Sequence, residues 1–398
     1  MPTDFAATRA MFHLPDGVTY LDGNSLGPLP RTAAARVAQS VTDEWGQMLI
    51  RGWNKAGWID QPSRVGDRIA ALIGAEPGSV VMGDTLSIKV YQALASALEM
   101  IPSRRVILSD TGNFPSDLYM AEGLCRTLGQ GYTLKTVAPE DVMDAIDDSV
   151  AVTLITEVDY RTGRRHEMAA ITARAQAKGA LTVWDLAHSA GAFPVHLSAC
   201  NADFAVGCTY KFLNSGPGGP AFIYVAPRHH DVARPALSGW LGHAAPFAFD
   251  LDYRPGAGIE RMRVGTPPVL QLAALEAALD IWDKVDLDDL RTACLALQDR
   301  FIAGVAAQCP DLTLATPRDP LMRGSQVSFR HSQGYAIMQA LIARGVIGDF
   351  RSPDILRFGI TPLYTGADDI DRAVATLAII LKDRLWDRPE YQTRARVT

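Results

Sequence analysis

The chain has 398 residues, a length that is typical of roughly two to three domains. Hydrophobic residues make up 48% and charged residues 21%, as in ordinary globular proteins. The net charge of -6 lacks the basic character that is typical of nucleic-acid-binding proteins, so we expect no nucleic-acid partner. No apolar run is long enough to span a membrane, and the N-terminus lacks a signal segment, so we also expect no membrane association.

Five cysteines are spread along the chain without a CxxC pair or a metal-ligand spacing. Disulfide frameworks belong to short secreted chains, so we predict reduced thiols and a cytoplasmic location. The eight histidines include no HExxH motif. We therefore predict that the protein uses no metal.

The chain begins with a turn-rich segment at residues 20–28, and residues 31–45 then place apolar side chains at helical spacing. We predict an N-terminal arm and helix over residues 1–45. A large domain is expected over residues 46–267 and a small C-terminal domain over residues 268–398.

Strands and helices alternate from about residue 78 to residue 225. Several of the strand segments are apolar on both faces, as parallel strands covered by helices must be. We predict an α/β fold with a mostly parallel seven-stranded sheet and helices on both faces. Its strands are expected at residues 80–82, 105–108, 132–137, 150–155, 180–184, 204–207 and 221–225.

The pattern changes after the two prolines at 267–268. Helical spacing dominates there and alternates with short apolar runs, which predicts a smaller α+β domain. Helices are expected at residues 269–285, 287–308, 334–344 and 368–386, and strands at 326–330 and 355–358.

A lysine and an aspartate follow two of the predicted strands. Asp185 comes directly after the run 180–184, and Lys211 follows the run 204–207, with a glycine-rich turn behind it. Open α/β sheets bind ligands outside the carboxyl ends of their strands. A pyridoxal phosphate enzyme needs a lysine to form a Schiff base and an acid to keep the pyridine nitrogen protonated. Singly, Lys211 fits a solvated strand end and Asp185 a helix N-cap, but together they favour the cofactor site.

Two further strand ends carry polar and aromatic residues. Residues 84–87 stand between a strand and a helix, where hydroxyls and free N–H groups bind phosphate; ordinary helix capping is the alternative. Phe114 and Asp117 follow the next strand, where an aromatic ring can lie against a planar cofactor; a helix started by proline is the alternative. Neither a Walker motif nor GxGxxG occurs, so nucleotide binding has little support.

Six blocks of sequence resemble the bacterial branch of the kynureninase family. The resemblance runs from about residue 20 to residue 382 and implies a pyridoxal 5'-phosphate enzyme with the aspartate aminotransferase fold (fold type I). The blocks are Leu-Asp-Gly-Asn-Ser-Leu-Gly-Pro (21–28), Phe-Pro-Ser-Asp (114–117), Trp-Asp-Leu-Ala-His-Ser-Ala-Gly (184–191), Thr-Tyr-Lys-Phe-Leu-Asn with Gly-Pro-Gly-Gly (209–219), Gly-Trp-Leu-Gly-His (239–243) and Arg-Val-Gly-Thr-Pro-Pro (263–268).

The resemblance also implies which residues hold the cofactor. Lys211 would be the Schiff-base lysine, Asp185 would pair with the pyridinium nitrogen, and Phe114 would stack on the ring. Tyr210 would reach the phosphate and serve as a proton donor or acceptor. The other cofactor-binding residues implied within the same chain are Leu86, Ser87, Asp117, Thr156 and His188.

The same resemblance implies a homodimer with its active sites at the subunit interface. Trp240 and Thr266 would reach the cofactor phosphate and the substrate from the neighbouring subunit. Arg357 would clamp the substrate α-carboxylate as a bidentate partner. The other substrate-binding residues implied are Asn24, Ser25, His243, Trp53 and Asn54, with an exposed structural loop as an equal alternative for the last two.

The reaction implied is hydrolysis of L-kynurenine to anthranilate and L-alanine, in tryptophan catabolism. A cysteine desulfurase or selenocysteine lyase shares the fold, but it needs a thiolate on a mobile loop, and no cysteine follows Cys309. An aminotransferase is a further alternative. A binding protein without catalysis is another, although it would not need Lys211, Asp185 and Arg357 together.

Substrate preference is partly readable in the block at 263–268. Gly265 and Thr266 stand where the branch that favours 3-hydroxykynurenine carries serine and asparagine. The sequence therefore predicts a preference for unsubstituted kynurenine.

Overall fold

The computed structural model describes residues 2–394 and centres on a seven-stranded sheet. The strand Phe222–Val225 runs antiparallel to both of its neighbours, and the other pairings are parallel. The predicted mostly parallel seven-stranded α/β sheet is confirmed. In spatial order the strands are Val80–Met82, Phe222–Val225, Phe204–Gly207, Leu181–Asp185, Val150–Thr156, Val106–Asp110 and Thr133–Val137.

The strands of this large sheet supply two separate cores. Every residue of Leu181–Asp185 is buried, and Val183 belongs to one core while Trp184 belongs to the other. Successive side chains on a strand point to opposite faces, so a sheet covered on both faces needs apolar residues at nearly every position. The helices that bury residues in these cores include Gln61–Leu72, Leu86–Met100, Pro115–Leu128, Met168–Ala177 and Val269–Trp282.

A second sheet of four antiparallel strands forms in the C-terminal part of the chain. Three helices, Leu287–Gln308, Gly334–Ile342 and Ala367–Lys382, pack around it in a third core. This is the α+β unit that the sequence predicts, whereas the exact division into domains stays a prediction. In spatial order the strands of this small sheet are Thr313–Leu314, Gln326–Arg330, Ile355–Gly359 and Asp349–Arg351.

The N-terminal segment is fastened to the small-sheet side of the molecule. After the helix Phe5–Ala10, the strand Thr19–Tyr20 pairs in parallel with Val346–Ile347. Asp22 then bridges to Gly359, at the end of a central strand of the small sheet. The turn that follows Asp22 is thereby held where the two sheets meet.

The helix predicted over residues 31–45 forms, but only its first half is a regular α-helix, Ala33–Gln39. It continues as the π-helical segment Ser40–Met48, in which the buried Glu44 accepts hydrogen bonds from Arg36 and Trp58, both at 2.9 Å. The remaining strands are Phe12–His13 and Leu29–Pro30, and the remaining α-helices are Gly52–Lys55, Val142–Ala145 and Pro389–Gln392. Within residues 2–394 no helix is long and apolar enough to cross a membrane.

Candidate active site

A cavity of about 400 Å³ opens at the carboxyl ends of the parallel strands, where the small sheet meets the large one. Ligands of open α/β sheets bind at this edge. Its wall combines strand ends, the first turns of two helices and the N-terminal turn. The lining residues are Asn24, Ser25, Asp84, Thr85, Leu86, Ser87, Phe114, Ser116, Asp117, Asp185, Ala187, His188, Tyr210, Lys211, Gly218, Gly219, Arg351 and Arg357.

Lys211 projects into the cavity beside His188, with 3.0 Å between the lysine Nζ and the histidine Nε2. Burial, and then the charge of Lys211, hold the pKa of His188 well below its usual range. The imidazole is therefore neutral at neutral pH and can accept a hydrogen bond from the amine. Gln326, from the small sheet, is its other polar neighbour.

Asp185 ends its strand with a carboxylate that two groups hold in place. Its Oδ1 accepts the Ala187 N–H at 2.8 Å, and its Oδ2 accepts the Thr156 hydroxyl at 3.2 Å. Burial raises the pKa of Asp185 against the opposing charge of Lys211. Burial and the charge of Asp185 raise the pKa of the adjacent Asp117 well above its usual range. Asp185 and Asp117 together therefore favour a proton in their neighbourhood. A ligand whose ring nitrogen is protonated can supply this proton from an N–H group beside Asp185.

Two helices, Leu86–Met100 and Pro115–Leu128, begin at the cavity. Ser87 Oγ and Ser116 Oγ lie 2.9 Å apart and link their first turns. Neither N-cap residue makes a capping hydrogen bond through its side chain. First-turn N–H groups and the helix dipole favour an anion at such a place, so the predicted phosphate site has donors from two helices.

An ion pair between the exposed Asp84 and the buried Lys89 fixes the loop that precedes the first of these helices. Asp84 has a φ of 57°, and its Oδ2 lies 3.1 Å from Lys89 Nζ. Lys89 is fully buried and also donates to Gln92 Oε1 at 2.9 Å. Positive φ is unusual outside glycine, so the ion pair stabilises a loop conformation that the backbone alone disfavours.

Two aromatic rings flank the lysine amine. Phe114 leaves 42% of its surface exposed and meets Tyr160 edge to face, with 5.1 Å between ring centroids. Lys211 Nζ lies 6.0 Å from the Phe114 centroid and 5.9 Å from that of Tyr210. The neighbouring Cys208 and burial raise the pKa of Tyr210, so its phenol stays protonated. One ring can thus stack on a planar group, and the other can donate a proton.

Arg357 lies on the small-sheet side of the cavity, directly across from Asp349 on the adjacent strand. Asp349 binds it through two contacts, Nε to Oδ1 at 2.7 Å and Nη2 to Oδ2 at 2.5 Å. Arg357 also donates to the Tyr160 carbonyl at 2.6 Å and to Ser25 Oγ at 2.8 Å. Arg351 reaches the same Asp349 Oδ2 at 2.7 Å. The cavity therefore has a cationic end.

Asn24 lines the cavity together with this cluster and is fully buried. Within the part of the chain that the structure describes, neither its amide nitrogen nor its amide oxygen has a hydrogen-bond partner. Buried amides are normally satisfied, and a ligand in the cavity is the natural partner for this one.

Besides Thr156, five of the predicted site residues do not line this cavity in the single chain. Trp53 instead packs edge to face against Trp58, with 6.0 Å between ring centroids. Trp240 leaves 41% of its surface exposed. Their predicted roles stay predictions, since two of them were expected to act on a neighbouring subunit. The five are Trp53, Asn54, Trp240, His243 and Thr266.

The residues of the cavity fit pyridoxal phosphate. Lys211 offers an amine for its aldehyde, and Asp185 and Asp117 offer an acidic pair for its ring nitrogen. Phe114 offers an exposed aromatic face for its ring, and two helix starts are available for its phosphate. All of these groups line one cavity. The unpartnered Oδ2 of the buried Asp117 is a further polar atom that lacks a partner within residues 2–394. Thr156 does not line the space but supports Asp185 from behind.

Three residues of the site escaped the sequence analysis. Tyr160 contacts both Phe114 and Arg357, while Asp349 and Arg351 surround the guanidinium group. Asp349 and Arg351 are two residues apart and share a face of their strand, but this three-residue strand has no apolar pattern that predicts it. Tyr160 lies in an irregular loop and has no such pattern either.

The fold is that of the pyridoxal phosphate enzymes of fold type I, and the cavity has the lysine and the acid that such an enzyme needs. A cysteine desulfurase from Thermococcus onnurineus NA1 superposes with a TM-score of 0.81 at 18% sequence identity, covering 96% of this chain and 99% of that one. The cysteine desulfurase CsdA from Escherichia coli gives 0.79 at 17% identity, covering 95% and 98%. At such identities the likeness shows the fold alone.

Sequence comparison is more specific than the fold. Kynureninase from Burkholderia pseudomallei (strain 1106a) is 52% identical over 400 residues, covering 99% of this chain and 96% of that protein. Kynureninase from Pseudomonas fluorescens is 50% identical with the same coverage. The family model described as the kynureninase C-terminal domain matches residues 290–377. The chain belongs to the kynureninase family.

Proposed function

We propose that this chain hydrolyses L-kynurenine to anthranilate and L-alanine with pyridoxal 5'-phosphate as its cofactor, within tryptophan catabolism. The observation that carries the proposal is the meeting of Lys211, Asp185 and Arg357 on one cavity in a member of the kynureninase family. Relatives that span nearly the whole chain bear the name kynureninase, which supports the choice of substrate.

Bound pyridoxal phosphate supplies an electron sink for the charge that develops at the substrate α-carbon. Lys211 would hold the cofactor through its aldehyde, and its free amine would be placed to move the substrate α-proton. His188 accepts a hydrogen bond from the Lys211 amine and, because its imidazole is neutral, adds no second positive charge. Asp185, fixed by Thr156 and the Ala187 N–H, keeps the cofactor nitrogen protonated.

Tyr210 serves as a proton donor during cleavage of the carbon–carbon bond. Its raised pKa keeps the phenol protonated, and its ring lies 5.9 Å from Lys211 Nζ. General acid help from a placed side chain typically contributes about 10²–10⁴ in rate. Leu86 and Ser87, at the start of their helix, bind the phosphate, while Phe114 stacks on the ring.

The substrate is oriented by the cationic end of the cavity. Arg357 binds the α-carboxylate, and the buried Asn24 amide gains in the substrate the hydrogen-bond partner that it lacks. Ser25, which now bonds to Arg357 and Asp349, can exchange these contacts for the incoming carboxylate. This places the bond to be broken toward the aromatic side of the cavity.

We further propose a cytoplasmic homodimer in which each cavity is completed by the partner. Trp240 and Thr266 act on the neighbouring cavity, and Trp53, Asn54 and His243 help to enclose the aryl group. Exposed apolar side chains support an interface, because large exposed apolar patches mark contact surfaces. They include Trp45, Leu49, Ile50, Trp240, Phe247, Phe249 and Leu251.

The cavity favours this reaction over sulfur transfer from cysteine. A desulfurase needs a reactive thiolate at the substrate, and thiolates form where the pKa is depressed. All five cysteines fall within residues 2–394 and none of them lines the cavity. Cys208, three residues before Lys211, is buried, and burial raises the pKa of its thiol.

The test incubates the purified protein and pyridoxal phosphate with L-kynurenine or with L-cysteine. Anthranilate fluorescence from kynurenine, with no sulfide from cysteine, is the expected result. Sulfide release, or the absence of anthranilate from a protein that has bound the cofactor, would count against the proposal. A higher kcat/KM for 3-hydroxykynurenine than for kynurenine would refute the preference inferred from Gly265 and Thr266.

A further inference from the structure

Two arginines and one aspartate share a face of the small sheet at the cationic end of the cavity. Asp349 and Arg351 are two residues apart on one strand, and Arg357 is the cross-strand neighbour of Asp349. Side chains with this spacing point the same way. A single oxygen, Asp349 Oδ2, therefore lies 2.5 Å from one guanidinium group and 2.7 Å from the other.

Arg357 and Asp349 together form a neutral, buried pair. Against the effect of burial, the charges of Arg357 and Arg351 hold the pKa of Asp349 below its usual value, so this acid stays ionised. A substrate carboxylate that approaches the pair meets attraction from Arg357 and repulsion from Asp349. The Arg357–Asp349 pair can therefore orient a bound carboxylate, but because its two charges cancel, it contributes little net attraction for an anion.

Arg351 supplies the positive charge that the pair lacks. Its side chain is 31% exposed and lines the cavity. Its Nη2 contacts Asp349 and Ser25, and its Nη1 donates to the Phe350 carbonyl at 3.1 Å. Its Nε–H and its second Nη1 N–H have no acceptor within residues 2–394, and one Nη1 N–H of Arg357 is in the same situation. These donors are available to a carboxylate.

Asp22 is the other acid that faces the cluster, beside Tyr20 and Tyr160. Burial, and then the charge of Asp349, raise the pKa of Asp22 to about 8. At neutral pH this acid is mostly protonated and leaves the surplus positive charge intact.

We propose that Arg351 determines substrate specificity: it forms with Arg357 a two-arginine clamp whose one unneutralised charge selects ligands that carry an α-carboxylate. The inference deepens the proposed function and rests on it for the identity of the substrate. Its test is a binding measurement, so it does not depend on turnover of kynurenine.

The experiment titrates the protein with its cofactor bound and follows the visible absorbance of that cofactor. L-alanine is the probe with a carboxylate, and ethylamine is the same molecule without it. Arg351→Gln is expected to raise the half-saturating concentration of L-alanine about tenfold or more and to leave that of ethylamine unchanged. Arg351→Lys retains the positive charge, on which the selection depends, and is expected to stay within about threefold of the wild type for L-alanine.

Arg330→Gln is the matched control, because it removes an exposed arginine of the same sheet that pairs with Asp354 away from the cavity. It is expected to change neither titration. With L-kynurenine, the effect of Arg351→Gln should fall on KM rather than on kcat. If Arg351→Gln does not fold, Arg351→Met keeps the aliphatic stem and takes its place.

The proposal is overturned if Arg351→Gln binds L-alanine as tightly as the wild type does. It is also overturned if Arg351→Gln loses equal affinity for L-alanine and for ethylamine. A loss of affinity for L-alanine in Arg351→Lys as large as that in Arg351→Gln would overturn it as well. Cleavage of L-kynurenine by the wild type is scored separately. A protein that fails to cleave kynurenine but shows the predicted pattern of binding would refute the proposed substrate and retain the clamp.

Discussion

The distribution of charge among single residues is what prepares this cavity for its chemistry. His188 is kept neutral beside Lys211, while Asp185 and Asp117 together favour a bound proton. At the other end Asp349 stays ionised between two arginines. Burial acts on all these groups, and the nearest opposite charge decides which of them remain ionised.

Lys211→Ala is expected to abolish the visible absorbance of covalently bound cofactor and to lower turnover at least about a thousandfold. The reason is that no other described lysine lines the cavity. Lys178→Ala, which removes a surface lysine paired with Asp148, is the control and should retain both properties. Absorbance spectra and anthranilate release measure the two effects, and full turnover by Lys211→Ala would refute the assignment.

The protonation of Asp22 predicts a dependence of KM on pH. Its raised pKa of about 8 means that it is neutral below pH 8 and gains a negative charge above it. That charge repels the substrate carboxylate, so KM for L-kynurenine should rise on the order of tenfold between pH 7 and pH 9. Asp22→Asn cannot ionise and should flatten this rise. If KM rises equally steeply with pH in Asp22→Asn, another titrating group causes the rise.

Among the elements, we expect the helix Leu86–Met100 to help hold the cofactor, because its first turn lines the cavity. Its first turn meets the first turn of Pro115–Leu128 through Ser87 and Ser116, and the loop before it is held by the ion pair between Asp84 and the buried Lys89. The starts of both helices therefore line the same cavity. We expect the phosphate to bind at this arrangement, with the Ser87 hydroxyl as one of its donors.

Ser87→Ala is expected to raise the dissociation constant for pyridoxal phosphate about tenfold, because a hydrogen bond to a charged group is lost. Ser96→Ala in the same helix removes a hydroxyl that donates to the Arg234 carbonyl, far along the helix from the cavity. That control should lower the melting temperature and leave cofactor affinity unchanged. Equal losses of affinity in both variants would point to a general effect on the helix.

Element prediction succeeded where apolar periodicity extends over several residues. All seven strands of the large sheet and the helix Leu287–Gln308 were predicted from the sequence. The strand Asp349–Arg351 was not, because three residues with two charges carry no apolar pattern. Its pairing with Ile355–Gly359 brings Asp349 and Arg351 to Arg357, which only tertiary structure reveals.

On the scale of the whole molecule, the cavity lies where both sheets and the N-terminal turn meet. Asn24, Lys211 and Arg357 are far apart in the sequence, and strand order alone places only Lys211 and its acid partner on a common edge. Their meeting was implied by the family resemblance and could not be derived from local pattern. The roles proposed for Trp240 and Thr266 involve a second copy, which no pattern within one chain describes.

The proposed shared sites predict complementation between two inactive variants. Lys211→Ala lacks the reactive amine, and Trp240→Ala lacks a residue that acts on the partner's cavity. A mixed dimer of the two contains one intact site, so co-expression at equal levels should restore roughly a quarter of wild-type activity by random pairing. Each variant alone should remain nearly inactive. No recovery in isolated mixed dimers would show that the sites are not shared in this way.

The most direct test of the central claim is the stoichiometry of products from L-kynurenine. Mass spectrometry of a completed reaction should find one anthranilate and one alanine for each kynurenine consumed, since hydrolysis leaves the amino group on the three-carbon fragment. Transfer of that amino group to an acceptor, with no alanine formed from kynurenine, would contradict the account.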